Sequence, residues 1–288
     1  MPNKKEGQIV PPFCFMGREM FLGDYHLHTP RCGDAKGSYD EYIEEALRKG
    51  LSEIGFSGHC PQYFLSPEER KRESAIPEEE LTLYIEEVES LQEKYQSSIT
   101  IRLGLEVDFI PGKEEELQPL VDFYSWDYLL LSVHYLGDWA FDNPRYLSRY
   151  KERNINEIYE SYYQTLIAGM KTGFFSAVAH FDLPKKFGFR PTGEIRAEVE
   201  ALRVCQEQNL VLELNTAGRR KPVGEFYPAP SILSQAQKLG LQVCLGSDAH
   251  QPEDVGQDFK EALALLRDSG FDHIIGWEKR SAVLHPIS

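Results

Sequence analysis

The sequence predicts an α/β protein in which seven strand-helix units close into a barrel. Apolar runs of strand length alternate with longer segments of helical period, an order that favours a parallel sheet covered by helices. Polar residues of the kinds that bind metals stand at the ends of nearly every apolar run. A barrel brings all of its strand ends to one mouth, so a closed sheet accounts for them better than an open one.

The seven units follow one another without an internal linker rich in Pro, Gly or Ser. Short apolar runs predict strands near residues 22–28, 53–58, 100–107, 127–134, 175–180, 210–215 and 242–247. Segments of helical period predict helices near 38–50, 78–95, 114–123, 154–172, 193–208, 230–239 and 257–269. A chain of 288 residues suits one such domain. We therefore predict an N-terminal extension over residues 1–20 and a catalytic barrel over residues 21–288.

Composition excludes several classes of function. The formal net charge of -15 opposes binding to nucleic acid, whose affinity for proteins comes largely from Lys and Arg neutralising phosphates. No apolar stretch approaches the roughly 20 residues that span a bilayer, and no signal-type segment follows Met1, so we expect a cytoplasmic protein that does not bind membranes. Five cysteines without Cys-x-x-Cys spacing predict neither a disulfide framework nor a zinc finger.

Two pairs of residues near opposite ends of the chain are the strongest indication of a metal site. His26 and His28 lie in Asp24-Tyr-His-Leu-His-Thr, and Asp248 and His250 lie in Gly246-Ser-Asp-Ala-His. Side chains two apart on a strand project from the same face, so each pair can point into one cavity. We predict that both pairs bind metal.

Five further residues extend this set, and four of them stand where an apolar strand ends. They are Asp34, in a Gly-containing loop, and His59, Glu106, His134 and His180. A lone histidine of this kind is usually a core or rim residue bonded to backbone, but burying the whole set together is costly unless a cation pairs it. Nitrogen and oxygen ligands without thiolate suit Zn, Fe or Mn. Nine ligands predict two or three ions, with Glu106 as the bridging carboxylate.

Basic residues in two strand-end loops are candidate phosphate anchors. Lys185 and Lys186 follow His180, and Arg220 lies in Asn215-Thr-Ala-Gly-Arg-Arg-Lys. A guanidinium can hold phosphate oxygens through two hydrogen bonds, which favours Arg220. The alternative is that these side chains are simply solvated.

These segments resemble the PHP (polymerase and histidinol phosphatase) family, and within it the monofunctional histidinol-phosphate phosphatases. The resemblance spans roughly residues 22 to 285 and rests on six segments: His26-Leu-His-Thr-Pro, Gly104-Leu-Glu-Val-Asp-Phe, Ser132-Val-His-Tyr-Leu-Gly, His180-Phe-Asp-Leu-Pro-Lys-Lys-Phe, Asn215-Thr-Ala-Gly and Gly246-Ser-Asp-Ala-His. It implies the PHP fold, a distorted (β/α)7 TIM-like barrel that holds three metal ions.

The resemblance also implies how the ligands are shared among the ions. One ion would be bound by His26, His28, Glu106 and Asp248, a second by Glu106, His134 and His180, and a third by Asp34, His59 and His250. The implied reaction is hydrolysis of L-histidinol phosphate to L-histidinol and phosphate in histidine biosynthesis, by a water that the metals activate.

The predicted catalytic residues are Glu106, Asp182, Asp248 and His250, with Asp182 as a proton donor or an orienting group. Tyr135 is a candidate aromatic wall for the substrate, alongside the basic anchors. The partner we expect is a small phosphomonoester, and the sequence leaves oligomerisation open. Two alternatives remain: a PHP phosphoesterase that acts on nucleotides or short oligonucleotides, and a non-catalytic PHP scaffold module.

Overall fold

A parallel sheet of seven strands forms the centre of the protein. The computed structural model describes residues 21–70, 72 and 74–287, together with the backbone of two short paired strands, Cys14–Phe15 and Arg18–Glu19. The sheet strands are β1 (Gly23–Leu27), β2 (Glu53–Phe56), β3 (Thr100–Asp108), β4 (Tyr128–Ser132), β5 (Ala177–Val178), β6 (Val211–Asn215) and β7 (Val243–Gly246). All seven predicted strands are therefore present. The predicted extension over residues 1–20 otherwise lies outside the described residues.

The sheet curves until its first and last strands meet. Its order follows the chain from β1 to β7, and every neighbouring pair is parallel. Beyond the strand ends, the His28 amide donates to Ala249 O at 3.0 Å, and the Ala249 amide donates to His26 O at 3.1 Å. The pairing of β1 with β2 shifts register between Asp24 and Leu27. The predicted distorted barrel is thus confirmed as a nearly closed one.

One long helix follows each strand, as the sequence predicts. The helices are α1 (Tyr39–Arg48), α2 (Leu81–Tyr95), α3 (Glu114–Asp122), α4 (Ile155–Met170), α5 (Arg196–Glu207), α6 (Pro230–Lys238) and α7 (Phe259–Asp268). Helix α1 begins at a capping box, in which Ser38 and Glu41 each bond the other's backbone amide. None of the helices among the described residues combines the length and apolar character needed to cross a membrane.

A C-terminal hairpin that the sequence analysis missed covers the amino-terminal end of the barrel. Its strands are His273–Glu278 and Ser281–Pro286. Trp277 is buried, stacks on Tyr128 and donates its backbone amide to Glu53 at the start of β2. This end of the barrel is therefore filled by packed side chains, and the opposite, carboxyl-terminal end is left for a site.

The packing of α5 on α4 gives a prediction about pH. Glu198 on α5 is half-buried and accepts a hydrogen bond from Tyr163 Oη at 3.0 Å. Burial raises the pKa of Glu198, so the folded state favours the neutral carboxyl group over the charged one. The contribution of Glu198 to stability is therefore present at low pH and is lost as pH rises through the folded-state pKa. We expect Glu198→Gln, which stays neutral and keeps an acceptor, to raise the free energy of unfolding at pH 8 and to have little effect near pH 4.

Urea unfolding at both pH values measures this difference. Glu200→Gln, at an exposed position of the same helix, is the matched control. Equal destabilisation by Glu198→Gln at pH 4 and pH 8 would show that the charge of Glu198 does not lower the free energy of unfolding.

Candidate active site

The nine predicted metal ligands lie together at the carboxyl-terminal end of the barrel. They form four overlapping groups, in each of which the ligand atoms lie within 4.8 Å of one another. The groups are His26, His28 and Asp248; His26, Glu106 and His180; His59, Glu106 and His134; and His28, Asp34, His59 and His250. The strands bring these residues together because parallel strands of a barrel all end at the same mouth.

Glu106 occupies the centre of the cluster. Its side chain is buried, and Oε2 lies 3.3 Å from His26 Nε2 and 3.0 Å from His59 Nδ1. Its other oxygen, Oε1, lies 2.8 Å from His180 Nε2 and 3.5 Å from His134 Nε2. Each carboxylate oxygen thus faces a different set of imidazoles, which is the arrangement that a bridging ligand requires.

The four groups coincide only in part with the ligand sets that the resemblance implies, since Glu106 is not grouped with His26, His28 and Asp248. Asp34 Oδ2 lies 3.5 Å from His59 Nε2 and 3.6 Å from His250 Nε2, so the third implied set stands together, joined by His28. The second implied set is divided, since His180 groups with His26 around Glu106 and His134 groups with His59. Every group still shares a member with another, so the cluster is continuous.

Strong electrostatic coupling marks the cluster. Burial alone would raise the pKa of Glu106, but the surrounding histidines, His59 first, hold it well below its usual range. Burial and the neighbouring His250 and His59 lower the pKa of His28 to about 3. Burial opposes protonation of His134 as well, yet Asp108 and Glu106 raise its pKa to about 9. Several charges are therefore held together away from water.

The donor atoms fit a divalent cation. His26 Nε2 and Glu106 Oε2 are buried, and within the described part of the chain neither has a hydrogen-bond partner. Buried polar atoms without partners are costly, and a cation between them removes that cost. The groups contain imidazole and carboxylate but no thiolate, a set that suits Zn, Fe or Mn.

Three carboxylates that were not among the predicted site residues support the ligands. Asp24 accepts hydrogen bonds from the Ser247 and Gly256 amides at 2.8 Å each. Asp108 Oδ1 lies 2.8 Å from His134 Nδ1, and Glu213 Oε1 lies 2.7 Å from His26 Nδ1. The two-residue strand spacing could have found them, because each stands two positions from His26, Glu106 or Asn215 in the sequence.

A cavity of about 660 Å³ opens over the cluster. Of the predicted substrate-binding residues, Lys186 and Tyr135 line it. Lys186 Nζ lies 3.0 Å from Asp142 Oδ2, which also lines the cavity, and the Tyr135 ring packs edge-on against Phe64. Asp142 was not among the predicted site residues, and it follows a short hairpin, Tyr135–Leu136 with Trp139–Ala140.

The structure does not bring Asp182 or Lys185 to the cavity lining. The two form a buried ion pair at 2.8 Å, in which Lys185 Nζ also donates to Phe226 O at 2.6 Å and Asp182 Oδ2 accepts from the Ala229 amide. Burial raises the pKa of Asp182. The short helix Leu183–Phe187 turns Lys185 inward and leaves Lys186 on the cavity side. These contacts fit a structural pair that holds the loop.

Arg220 also lies outside the residues that line the cavity. Its Nη2 donates to Ser247 O at 2.6 Å, and its Nε lies 3.8 Å from Asp254 Oδ2. Because Ser247 immediately precedes Asp248, these contacts hold the ligand loop after β7. The expected phosphate anchor is therefore engaged with backbone in this structure.

The protein is a nearly closed barrel of seven parallel strands. The His, Asp and Glu side chains grouped at its mouth place it among the metal-binding α/β barrels. Residues 24–217 match the family described as PHP domain, and the chain belongs to this family. The resemblance seen in the sequence motifs is confirmed.

Two curated relatives and one solved structure extend the comparison. The chain is 43% identical over 251 residues to a probable histidinol-phosphatase from Deinococcus radiodurans, covering 86% of this chain and 94% of the relative. It is 33% identical to the histidinol-phosphatase of Bacillus subtilis, covering 83% of this chain and 97% of that one. A histidinol phosphate phosphatase from Lactococcus lactis, solved with Zn, L-histidinol and phosphate, shares the fold with a TM-score of 0.77. That structure is 21% identical and covers 91% of this chain and 98% of its own.

Proposed function

We propose that this protein is a metal-dependent phosphatase that hydrolyses L-histidinol phosphate to L-histidinol and phosphate, a step of histidine biosynthesis. The observation that carries the proposal is the grouping of nine candidate metal ligands, eight of which line one cavity, in a chain 43% identical to a relative named probable histidinol-phosphatase. The net charge of -15 favours a small substrate over nucleic acid. Cytoplasmic location stays a prediction from the sequence, which leaves the oligomeric state open.

We propose that two to three divalent ions, Zn, Fe or Mn, are shared among the nine ligands. His26, His28, Glu106 and Asp248 would hold the first, Glu106, His134 and His180 the second, and Asp34, His59 and His250 the third. When bound, such ions supply Lewis-acid charge for the phosphoryl oxygens and lower the pKa of a bound water towards about 7.

Side chains of the cluster and of the cavity supply the other charges that the reaction needs. The histidines hold the pKa of Glu106 low, so its side chain stays a carboxylate that would be able to bind two ions. Asp248 is likewise held as a carboxylate, since burial is outweighed by His26 and the other imidazoles near it. His250 is the most exposed of the ligand histidines, at 33%, and its Nδ1 lies 3.1 Å from Asp248 O, which leaves Nε2 to bind an ion. Lys186 places positive charge in the cavity for the phosphate.

Replacing Lys186 with alanine is expected to raise KM for L-histidinol phosphate about 10- to 100-fold, with a smaller change in kcat. The reason is the loss of one charge-assisted hydrogen bond, worth about 1.5–3 kcal/mol, from the phosphate. Steady-state phosphate release measures the effect. Lys260→Ala, on the exposed surface of α7, is the matched control. An unchanged KM would remove Lys186 from the proposed site.

The proposed substrate is tested by comparing rates of phosphate release from L-histidinol phosphate and of cleavage of a dinucleotide by the same metal-loaded protein. We expect kcat/KM to be at least about 1000-fold higher for the monoester, a difference of about 4 kcal/mol in transition-state binding. A dinucleotide cleaved as well as histidinol phosphate would favour the nucleotide phosphoesterase, and bound metal without any turnover would favour a scaffold module.

A further inference from the structure

Glu213 is a buried carboxylate that belongs to none of the four metal groups among the described residues. It lies on β6, and both of its oxygens are used. Oε1 is 2.7 Å from His26 Nδ1, and Oε2 accepts hydrogen bonds from the His180 amide at 2.8 Å and from Asn215 Nδ2 at 3.1 Å. One side chain therefore contacts two predicted ligands that come from different strands.

The contact with His26 fixes which ring nitrogen can bind a metal. A carboxylate only accepts hydrogen bonds, so Nδ1 of His26 carries the proton and Nε2 presents its lone pair. That Nε2 is the buried atom that faces Glu106 Oε2 at 3.3 Å. Glu213 thus sets both the tautomer and the orientation of His26.

The contact with His180 acts on the backbone instead. His180 has a φ of 26°, in the left-handed region that side chains other than glycine rarely adopt. Its amide is held by Glu213 Oε2, and its carbonyl accepts from Tyr162 Oη at 3.1 Å. These two bonds hold the unusual backbone that places His180 Nε2 2.8 Å from Glu106 Oε1.

Two neighbours of Glu213 show that the arrangement is specific. A Cβ added at Gly246 would lie 2.0 Å from Glu213 Oε1 and 2.8 Å from the Cβ of His26, so only glycine leaves room for this pair. Asn215 Nδ2, bonded to Glu213, also lies 3.4 Å from Asp248 Oδ2. A third predicted ligand is therefore connected to the same carboxylate.

We propose that Glu213 is a positioning residue that couples two parts of the metal cluster, by fixing the His26 ring with one oxygen and the His180 backbone with the other. The loss of Glu213 weakens the binding of two ions together. By contrast Asp108, which accepts from both the amide and Nδ1 of His134, supports a single ligand. The inference rests on the metal binding of the proposed function and not on its substrate.

The test compares ion affinities of the folded wild type, Glu213→Gln and Asp108→Asn by competition with a chromogenic chelator for Zn. Glutamine has one oxygen in place of two, so it cannot accept from both His26 Nδ1 and the His180 amide. We expect about 10- to 100-fold weaker binding of two ions in Glu213→Gln, and of one ion in Asp108→Asn. Glu53→Gln changes a buried glutamate at the opposite end of the barrel and should keep wild-type affinities.

Near-UV circular dichroism identifies variants that fold before their ions are counted. If Glu213→Gln does not fold, Glu213→Asp carries the test, because it keeps the charge but is too short to reach both partners. Wild-type affinities in either folded variant, or weakening of a single ion, would overturn the coupling. Phosphate release by the wild type is measured separately. If the Glu213 variant binds two ions more weakly but the wild type shows no turnover, the proposed substrate is wrong and the positioning role of Glu213 is still supported.

Discussion

Replacing Glu106 with glutamine is expected to lower kcat/KM for L-histidinol phosphate by about 1000-fold or more. Each oxygen of this buried carboxylate faces separate imidazoles, at 3.0 Å from His59 Nδ1 and 2.8 Å from His180 Nε2. Glutamine keeps the shape but replaces one oxygen with an amide NH₂ that cannot bind a cation, and it removes the negative charge that the histidines surround. Losing this charge and a metal-binding oxygen is expected to remove several kcal/mol of transition-state stabilisation.

Steady-state kinetics and elemental analysis of the same preparation measure this effect. Glu53→Gln is the matched control, because Glu53 is also buried in the barrel but bonds Tyr25 Oη at 2.6 Å and lies at the amino-terminal end. We expect that control to keep its metal and its turnover. A Glu106→Gln protein that retains wild-type metal content and kcat/KM would show that Glu106 is not the bridge.

Removing the metal is expected to abolish turnover and to lower Tm by about 10 °C. Several histidines and carboxylates are buried together at the cluster, and the ions that pair them bind the folded state. Ligand binding at about 1000 times Kd contributes about 4 kcal/mol to the free energy of unfolding. For a domain of this size each kcal/mol shifts Tm by roughly 2–4 °C.

Differential scanning calorimetry before and after dialysis against a chelator measures the shift, and readdition of Zn or Mn should restore both Tm and phosphate release. The Glu53→Gln control should show the same shift as the wild type. An unchanged Tm after complete removal of metal would mean that the ligand cluster does not bind ions in the folded state.

The fold could be predicted almost completely because its pattern is local. Each apolar run and each helical period is visible within a short window, and all seven strands and seven long helices are found where these patterns predict them. The C-terminal hairpin was missed because its second strand, Ser281–Pro286, is largely exposed and its apolar run, Ala282-Val283-Leu284, is short. Its stability comes from contacts such as Trp277 with Tyr128, which are distant in sequence.

The site could be predicted where two-residue spacing and strand ends coincide. That rule finds pairs such as His26 with His28 and Asp248 with His250, and the structure brings them together. Loops follow no such rule. Lys185 and Lys186 are adjacent in sequence, yet one is buried in an ion pair and the other lines the cavity, because the short 3₁₀ helix Leu183–Phe187 points them in different directions. Asp142 lies in an irregular segment with no periodicity to reveal it.

The most direct test of a metal-dependent histidinol-phosphate phosphatase is to titrate the metal-free protein with Zn or Mn while measuring phosphate release from L-histidinol phosphate. We predict no release at the start, and a rate that rises with bound metal and saturates at two to three ions per chain. Full phosphate release by the metal-free protein, or no release after the ions have bound, would contradict the account.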